Sequence, residues 1–240
     1  MKIFPDFYNN ARYIFNNKIY NPKAQIKNLN DAILLLGKNK VIETFRFLYI
    51  KNKLFNLKKN KNIQMYKSSF LYGLISKTIF EYLNPKNENK MDIFFSALYY
   101  NFGKLLLLKY EPGIYLDIEN ECKSENSCFF EIEKKIFGFN ITNKLSEKIL
   151  NYLEVPEKFY LPTLYYDDIE NCKYKMKKLI LILTKIIGDG LCLYGDDFYK
   201  LPLLKNEYFK LLKLDGEGLK IIFRNFLNQM NSLKSFFKLL

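Results

Sequence analysis

Apolar residues recur at steps of three and four along nearly the whole chain, and this period predicts helices almost throughout. Between Lys40 and Phe55, the residues Val41, Ile42, Phe45, Leu48, Tyr49 and Leu54 fall on one helical face. A second helix is predicted from about Gln64 to Leu83, where Asn84-Pro85 forces the preceding backbone out of the helical region. The third, Met91 to Tyr110, is so apolar that it is expected to be the central one, and Glu111-Pro112-Gly113 stops it. Shorter amphipathic segments follow at about Ile114 to Asn120, Ser127 to Phe137, Thr142 to Leu153 and Pro156 to Tyr166, the last with proline at its first helical position. A long apolar helix is predicted from Cys172 to Leu193, a short one from Asn206 to Leu214, and a final one capped by Asp215. Loops are expected near 20–30, 56–63, 84–90, 120–127, 167–171 and 195–204.

No strand-period alternation, hairpin signal, internal repeat or Pro/Gly/Ser linker interrupts this pattern. The expected fold is therefore all-α, a single compact multi-helix bundle over residues 1–240. With 49% apolar and 17% aromatic residues, the chain has ample material for a core.

Composition narrows the chemistry. The 240 residues include no histidine, which removes imidazole bases, histidine-activated serine or cysteine nucleophiles and histidine-containing metal sites. Cys122, Cys128, Cys172 and Cys192 form no CxxC pair and read as unpaired thiols of a reducing compartment. The N-terminus lacks the unbroken apolar stretch of an export signal, and Leu179 to Ile187 is too short to span a bilayer. A soluble, cytoplasmic protein without membrane insertion is expected.

The formal net charge is +13, and 19 basic against 9 acidic residues in positions 1–120 put most of it in the N-terminal half. Its densest part is Lys51, Lys53, Lys58, Lys59 and Lys61, a candidate phosphate-holding patch. Against that reading, the chain is rich in residues with A- and T-rich codons, and bidentate arginine is nearly absent, with only Arg12, Arg46 and Arg224. The preferred reading of the run is therefore a solvated loop after a helix.

Three segments carry a resemblance to a known family. Ala97-Leu98-Tyr99-Tyr100-Asn101-Phe102-Gly103-Lys104-Leu105 resembles the "LLHDIGKL" segment of the HD superfamily, with Tyr100-Asn101 where His-Asp would stand. The stretch Ile26 to Gly37 resembles "ISSLEEAILLLG" of the HDOD family, and Ile132 to Phe139 followed by Leu150 to Phe159 resembles its "EREVLGFDHAEVGAALLERWGLPEAL". The chain is thus similar to HDOD domains, non-catalytic relatives of the HD phosphohydrolases. The support runs over about 7–166, with 171–240 assigned more loosely by architecture. Phe7 to Phe15 looks like the family's "RLLRLANSAYYG" region, so the first two helices usual in the family have no counterpart here.

In the catalytic relatives, the His-Asp pair, an earlier His and a later Asp hold divalent metal that activates water against a phosphoester. The resemblance carries these positions onto Ser68, Tyr100, Asn101 and Asp189, so three of four ligands are replaced and a vestigial pocket without metal or cofactor is expected. Tyr165-Tyr166-Asp167 replaces a further His-rich turn. Asp167, Asp168, Asp189, Asp196 and Asp197 form no calcium-loop spacing, and Gly188-Asp189-Gly190 fits no nucleotide-binding motif. Ser68-Ser69 lacks a base and reads as mid-helix packing, and Tyr99 and Tyr100, with Phe94, Phe95 and Phe102, read most simply as core aromatics, the alternative being that the Tyr100 phenol closes the old pocket.

What remains is a non-enzymatic regulatory or signal-transduction module acting through an unidentified protein partner. The alternative is a nucleic-acid or nucleotide binder using the basic half, and a metal-dependent phosphohydrolase comes third. The absent first helices would expose Phe7, Tyr8, Tyr13 and Phe15, an expected surface for self-association or docking.

Overall fold

The structure is a computed structural model that describes residues 5–17, 19–20, 22–54, 60–84, 90–164, 169, 172–190 and 206–232. For residues 5–7, 51–54, 60–63, 190 and 232 it describes the backbone alone. Every regular element in this set is helical: α1 (Pro5–Phe15), α2 (Leu29–Leu36), α3 (Lys38–Leu54), α4 (Asn60–Leu83), α5 (Lys90–Leu98), α6 (Phe102–Tyr110) and α7 (Pro112–Glu125) come first. Then follow α8 (Phe129–Phe137), α9 (Ile141–Tyr152), α10 (Glu157–Tyr160) with a 3-10 turn at Leu161–Thr163, α11 (Lys175–Gly190), α12 (Asn206–Leu212) and α13 (Gly216–Ser232).

Local chemistry sets many of the ends. Asn28 accepts a hydrogen bond from the Asp31 amide at 2.9 Å while the Asp31 carboxylate accepts from the Asn28 amide, a reciprocal cap that starts α2. Gly37, at φ 88°, ends it in a conformation that a side chain would strain. Asp215 caps α13 as its sequence suggested, accepting from the Gly218 amide at 2.8 Å. Pro156 sits one residue earlier than expected, as the cap before Glu157 rather than in the first turn. The stretch 120–127 is mostly helix, because α7 continues to Glu125 and ends at Asn126 in the left-handed region.

The centre of the bundle is α4 more than the segment after it. From Met65 to Phe80 all residues of α4 but Lys67 are buried, as a helix surrounded by others requires. It packs against α5, α11 and α13. The apolar stretch predicted as one helix from Met91 to Tyr110 is two, and the break falls at Tyr99-Tyr100-Asn101. There the amides of Tyr99, Tyr100 and Phe102 bond to carbonyls three residues back, tightening the chain into a turn. The turn redirects α6 toward α9. A Cβ on Gly103 would lie 2.1 Å from the Thr142 carbonyl oxygen, so the two backbones meet where one residue has no side chain.

The N-terminal face differs from expectation. Phe15 is fully buried and packs edge-on against Tyr20 and Phe45 at ring separations of 6.0 and 5.8 Å. Ile14 is buried with it, because α1 lays its apolar face on α3. Tyr8 is half-buried and its hydroxyl donates to the Lys27 carbonyl at 3.3 Å, while Tyr13 keeps 37% of its surface exposed. The side chain of Phe7 lies outside the described residues. The proposed apolar surface thus reduces to Tyr13, with Phe15 in the core. Among the described residues no helix is long and apolar enough to cross a membrane.

Candidate functional site

Three elements converge on the positions that the sequence singled out. Helix α4 brings Ser68 and, one turn later, Tyr72. The α5–α6 turn brings Tyr100 and Asn101, and α11 brings Lys185 and, one turn later, Asp189. Their approach depends on Gly188, where a Cβ would come within 2.4 Å of the Tyr72 ring. Hydrogen bonds across 33 and 117 positions, Asn101 to Ser68 and Tyr72 to Asp189, tie the three elements together.

The site divides into two hydrogen-bonded groups. In the first, the Asn101 side-chain amide donates to the Ser68 hydroxyl at 2.9 Å, and that hydroxyl donates in turn to the Met65 carbonyl. Ser69 also donates to the Met65 carbonyl, at 3.2 Å. Both hydroxyls are thus occupied by their own helix, as serines inside a buried helix usually are.

In the second group, the buried carboxylate of Asp189 is surrounded. Tyr72 donates its hydroxyl to Oδ1 at 2.5 Å, and the Lys185 ammonium donates to Oδ1 at 2.8 Å and Oδ2 at 2.6 Å. The same ammonium lies 5.5 Å from the Tyr72 ring centre and 5.8 Å from that of Tyr100. The two rings meet edge to face at 5.6 Å. The Tyr100 ring thus lies over the cation, a contact that its residue type alone did not indicate. Tyr72 and Lys185 were not singled out from the sequence. Their i, i+4 spacing from Ser68 and Asp189 was the available signal.

A divalent metal of the kind held by the superfamily's hydrolases does not fit these residues. An amide, an aliphatic hydroxyl and a phenol are weak donors, and the single carboxylate already faces an ammonium. Among the described residues no three His, Cys, Asp or Glu side chains gather into a metal-binding group. Asp167, Asp168, Asp196 and Asp197, with Tyr165 and Tyr166, lie outside the described residues.

Burial shifts several further polar groups upward. Tyr99 points into the core beside Glu43, and burial reinforced by that carboxylate pushes its phenol well above the usual range. Glu43 forms an ion pair with Arg46, yet burial still raises its pKa. Glu133, raised by burial too, holds the start of α9 through the Thr142 amide at 2.9 Å and hydroxyl at 2.8 Å. These carboxylates serve helix ends and partners of opposite charge.

The basic run cannot be placed in the same way. Lys58 and Lys59 lie outside the described residues, and so do the side chains of Lys51, Lys53 and Lys61.

Comparison with known proteins agrees with this architecture. Two solved structures share the fold. One is an HDOD domain protein of unknown function from Geobacter sulfurreducens, with TM-score 0.64, 16% identity, and coverage of 98% of this chain and 80% of that one. The other is a protein from Shewanella amazonensis SB2B with a provisional phosphohydrolase designation, with TM-score 0.62, 12% identity, and coverage of 97% and 95%. No curated protein matches the chain significantly. A family model described as the HDOD domain matches residues 14–169, well over half of the chain and inclusive of Ser68 and the Tyr100-Asn101 turn. The chain belongs to the HDOD domain family.

Proposed function

We propose that this protein is a non-enzymatic regulatory module of signal transduction that acts by binding another protein. The observation that carries this reading is the Lys185–Asp189 pair. The carboxylate that the sequence places at the former metal position is engaged by an ammonium of the same helix and by the Tyr72 hydroxyl. A metal ion there would have to displace a tethered cation and then accept weak neutral donors. With no histidine in the chain, no imidazole can act there as ligand or general base. Cys122, Cys128 and Cys172 form no disulfide among the described residues.

The decisive experiment is metal analysis of the purified protein together with hydrolysis of bis-p-nitrophenyl phosphate and cyclic dinucleotides in Mn2+ or Mg2+. Less than a tenth of a metal ion per chain and no turnover above the no-protein control are expected, on an order-of-magnitude scale set by tight metal sites. One equivalent of metal that is lost in Asp189→Ala would overturn the proposal. The nucleic-acid alternative has its own signature, since affinity for an oligonucleotide would fall steeply with salt through counterion release.

A further inference from the structure

The first turn of α11 gathers cations where a helix least favours them. Lys175, Lys177 and Lys178 lie in it and no acidic residue does, so each ammonium faces the positive end of the helix dipole. Their surroundings differ. Lys175 is exposed, whereas Lys178 is buried and its ammonium donates to the Leu164 carbonyl at 2.8 Å. Lys177 stands between the two, with 21% of its side chain exposed, so that a small molecule can reach the amine while most of the chain below it lies against protein.

The contacts of Lys177 hold its charge poorly. Its Nζ donates to the Lys158 carbonyl at 3.4 Å, long for such a bond, and stands 3.9 Å from the Asp92 carboxylate. That carboxylate is already taken by the Lys158 ammonium at 2.8 Å. Two ammoniums thus compete for one carboxylate, and Lys177 is the more distant. Both lie over the Phe159 ring, Lys158 at 4.8 Å and Lys177 at 5.9 Å, and Lys177 is 5.8 Å from the Tyr174 ring as well. Beyond them lies the Glu43–Arg46 pair of α3. Burial and the Lys158 ammonium lower the Lys177 pKa from the ordinary lysine range, against the pull of Asp92. A lysine partly desolvated and set beside a second cation is the arrangement that makes a nucleophilic amine available at neutral pH.

We propose that Lys177 is a modification site, the lysine that an acyl phosphate acylates in preference to its exposed neighbours. The ammonium first gives one proton to water. The nitrogen lone pair then forms a bond to the acyl carbon, the bond from that carbon to the phosphate oxygen breaks, and phosphate leaves with the bonding electrons and the proton that the nitrogen sheds. Lys158, 43% exposed beside the amine, attracts the anionic reagent. Acylation also ends the competition at the carboxylate, because a neutral amide at Lys177 leaves Lys158 and Asp92 as a single pair. Access separates Lys177 from Lys77, whose pKa burial lowers too but whose side chain is only 5% exposed. The site is independent of the protein-binding reading and stands or falls without it.

The test treats the full chain with limiting acetyl phosphate at neutral pH and follows each lysine by tandem mass spectrometry of chymotryptic peptides. Lys177 is expected to react about fivefold or more faster than the exposed Lys148 and Lys175, with Lys77 unmodified. The preference should vanish in urea, where every lysine is solvated alike, and its persistence there would assign it to local sequence and overturn the proposal. Equal rates in the folded chain would overturn it as well. Two variants, checked by circular dichroism, separate activation from mere access. Lys158→Met removes the competing cation and should slow Lys177 by about threefold, whereas Asp92→Asn removes the carboxylate that favours the ammonium and should speed it. Unchanged rates in both variants would leave only accessibility and sink the proposal. The lead of Lys177 should also narrow as the pH is raised toward about 10, where lysines in general lose their protons, and a lead independent of pH would count against it.

Discussion

The carboxylate of Asp189 faces an ammonium one turn away on its own helix, and the quality of that pairing sets what a substitution there costs. Lys185→Met leaves the buried carboxylate with Tyr72 as its principal donor and is expected to lose about 3–5 kcal/mol of stability. Adding Asp189→Leu removes the stranded charge and should recover most of the loss. Urea unfolding of the three proteins measures this, and a Lys185→Met protein as stable as the parent would show that Asp189 does not depend on the ammonium. Lys77 presents the opposite case. Its ammonium is buried and donates to the Ile19 carbonyl at 2.8 Å, and burial lowers its pKa from the ordinary lysine range. Between that lowered value and the ordinary one, the unfolded chain binds more protons than the folded chain, so the Lys77 contribution to stability rises with pH. The stability of wild type relative to Lys77→Met is therefore expected to increase from neutral pH toward pH 10. A flat difference would mean that the ammonium is well solvated.

Among the elements, α6 is the one most constrained by a single position. Gly103 meets the Thr142 backbone where a Cβ has no room, so Gly103→Ala must push α6 and α9 apart. It should cost about 1–3 kcal/mol or more by overpacking. Gly113, in the first turn of α7, has nothing within 4 Å of its Cβ position. There the same change should stabilise by roughly 0.4–1 kcal/mol, through helix propensity and a less flexible unfolded chain. Thermal melts of the two variants should move in opposite directions, and a shared direction would refute the packing argument. The same approach explains why the apolar stretch 91–110 breaks. One straight helix would carry α6 past α9, and the turn at Tyr99-Tyr100-Asn101 both corrects the direction and delivers Asn101 to Ser68.

At the scale of the molecule, the N-terminal helix belongs to the core it was expected to expose. Phe15→Ser should lose about 3–5 kcal/mol, the range for emptying a buried aromatic site. Tyr13→Ser, at a partly exposed position, should change stability by about 0.5 kcal/mol or less and leave the light-scattering mass unchanged. A mass that falls on Tyr13→Ser would return the assembly role to this face.

Much of this was legible along the chain. The three-and-four period placed most helices, because burial of one helical face leaves its mark within a few turns of sequence. Asp215 and the stop at Glu111-Pro112-Gly113 worked as local signals because capping and proline sterics act over neighbouring residues. Ser68, Tyr100, Asn101 and Asp189 were identified through a family resemblance; the structure bonds Asn101 to Ser68 and links Asp189 to Tyr100 only through Tyr72 and Lys185. The sequence by itself thus determined an all-helical chain, its segment order and the loss of the histidine-based ligands. Only the tertiary structure decided that α5 and α6 are separate, that Phe15 turns inward, and that Lys185 and Tyr72 enclose Asp189. Those features depend on contacts between helices far apart in sequence, where packing geometry rather than local propensity chooses which side chains meet.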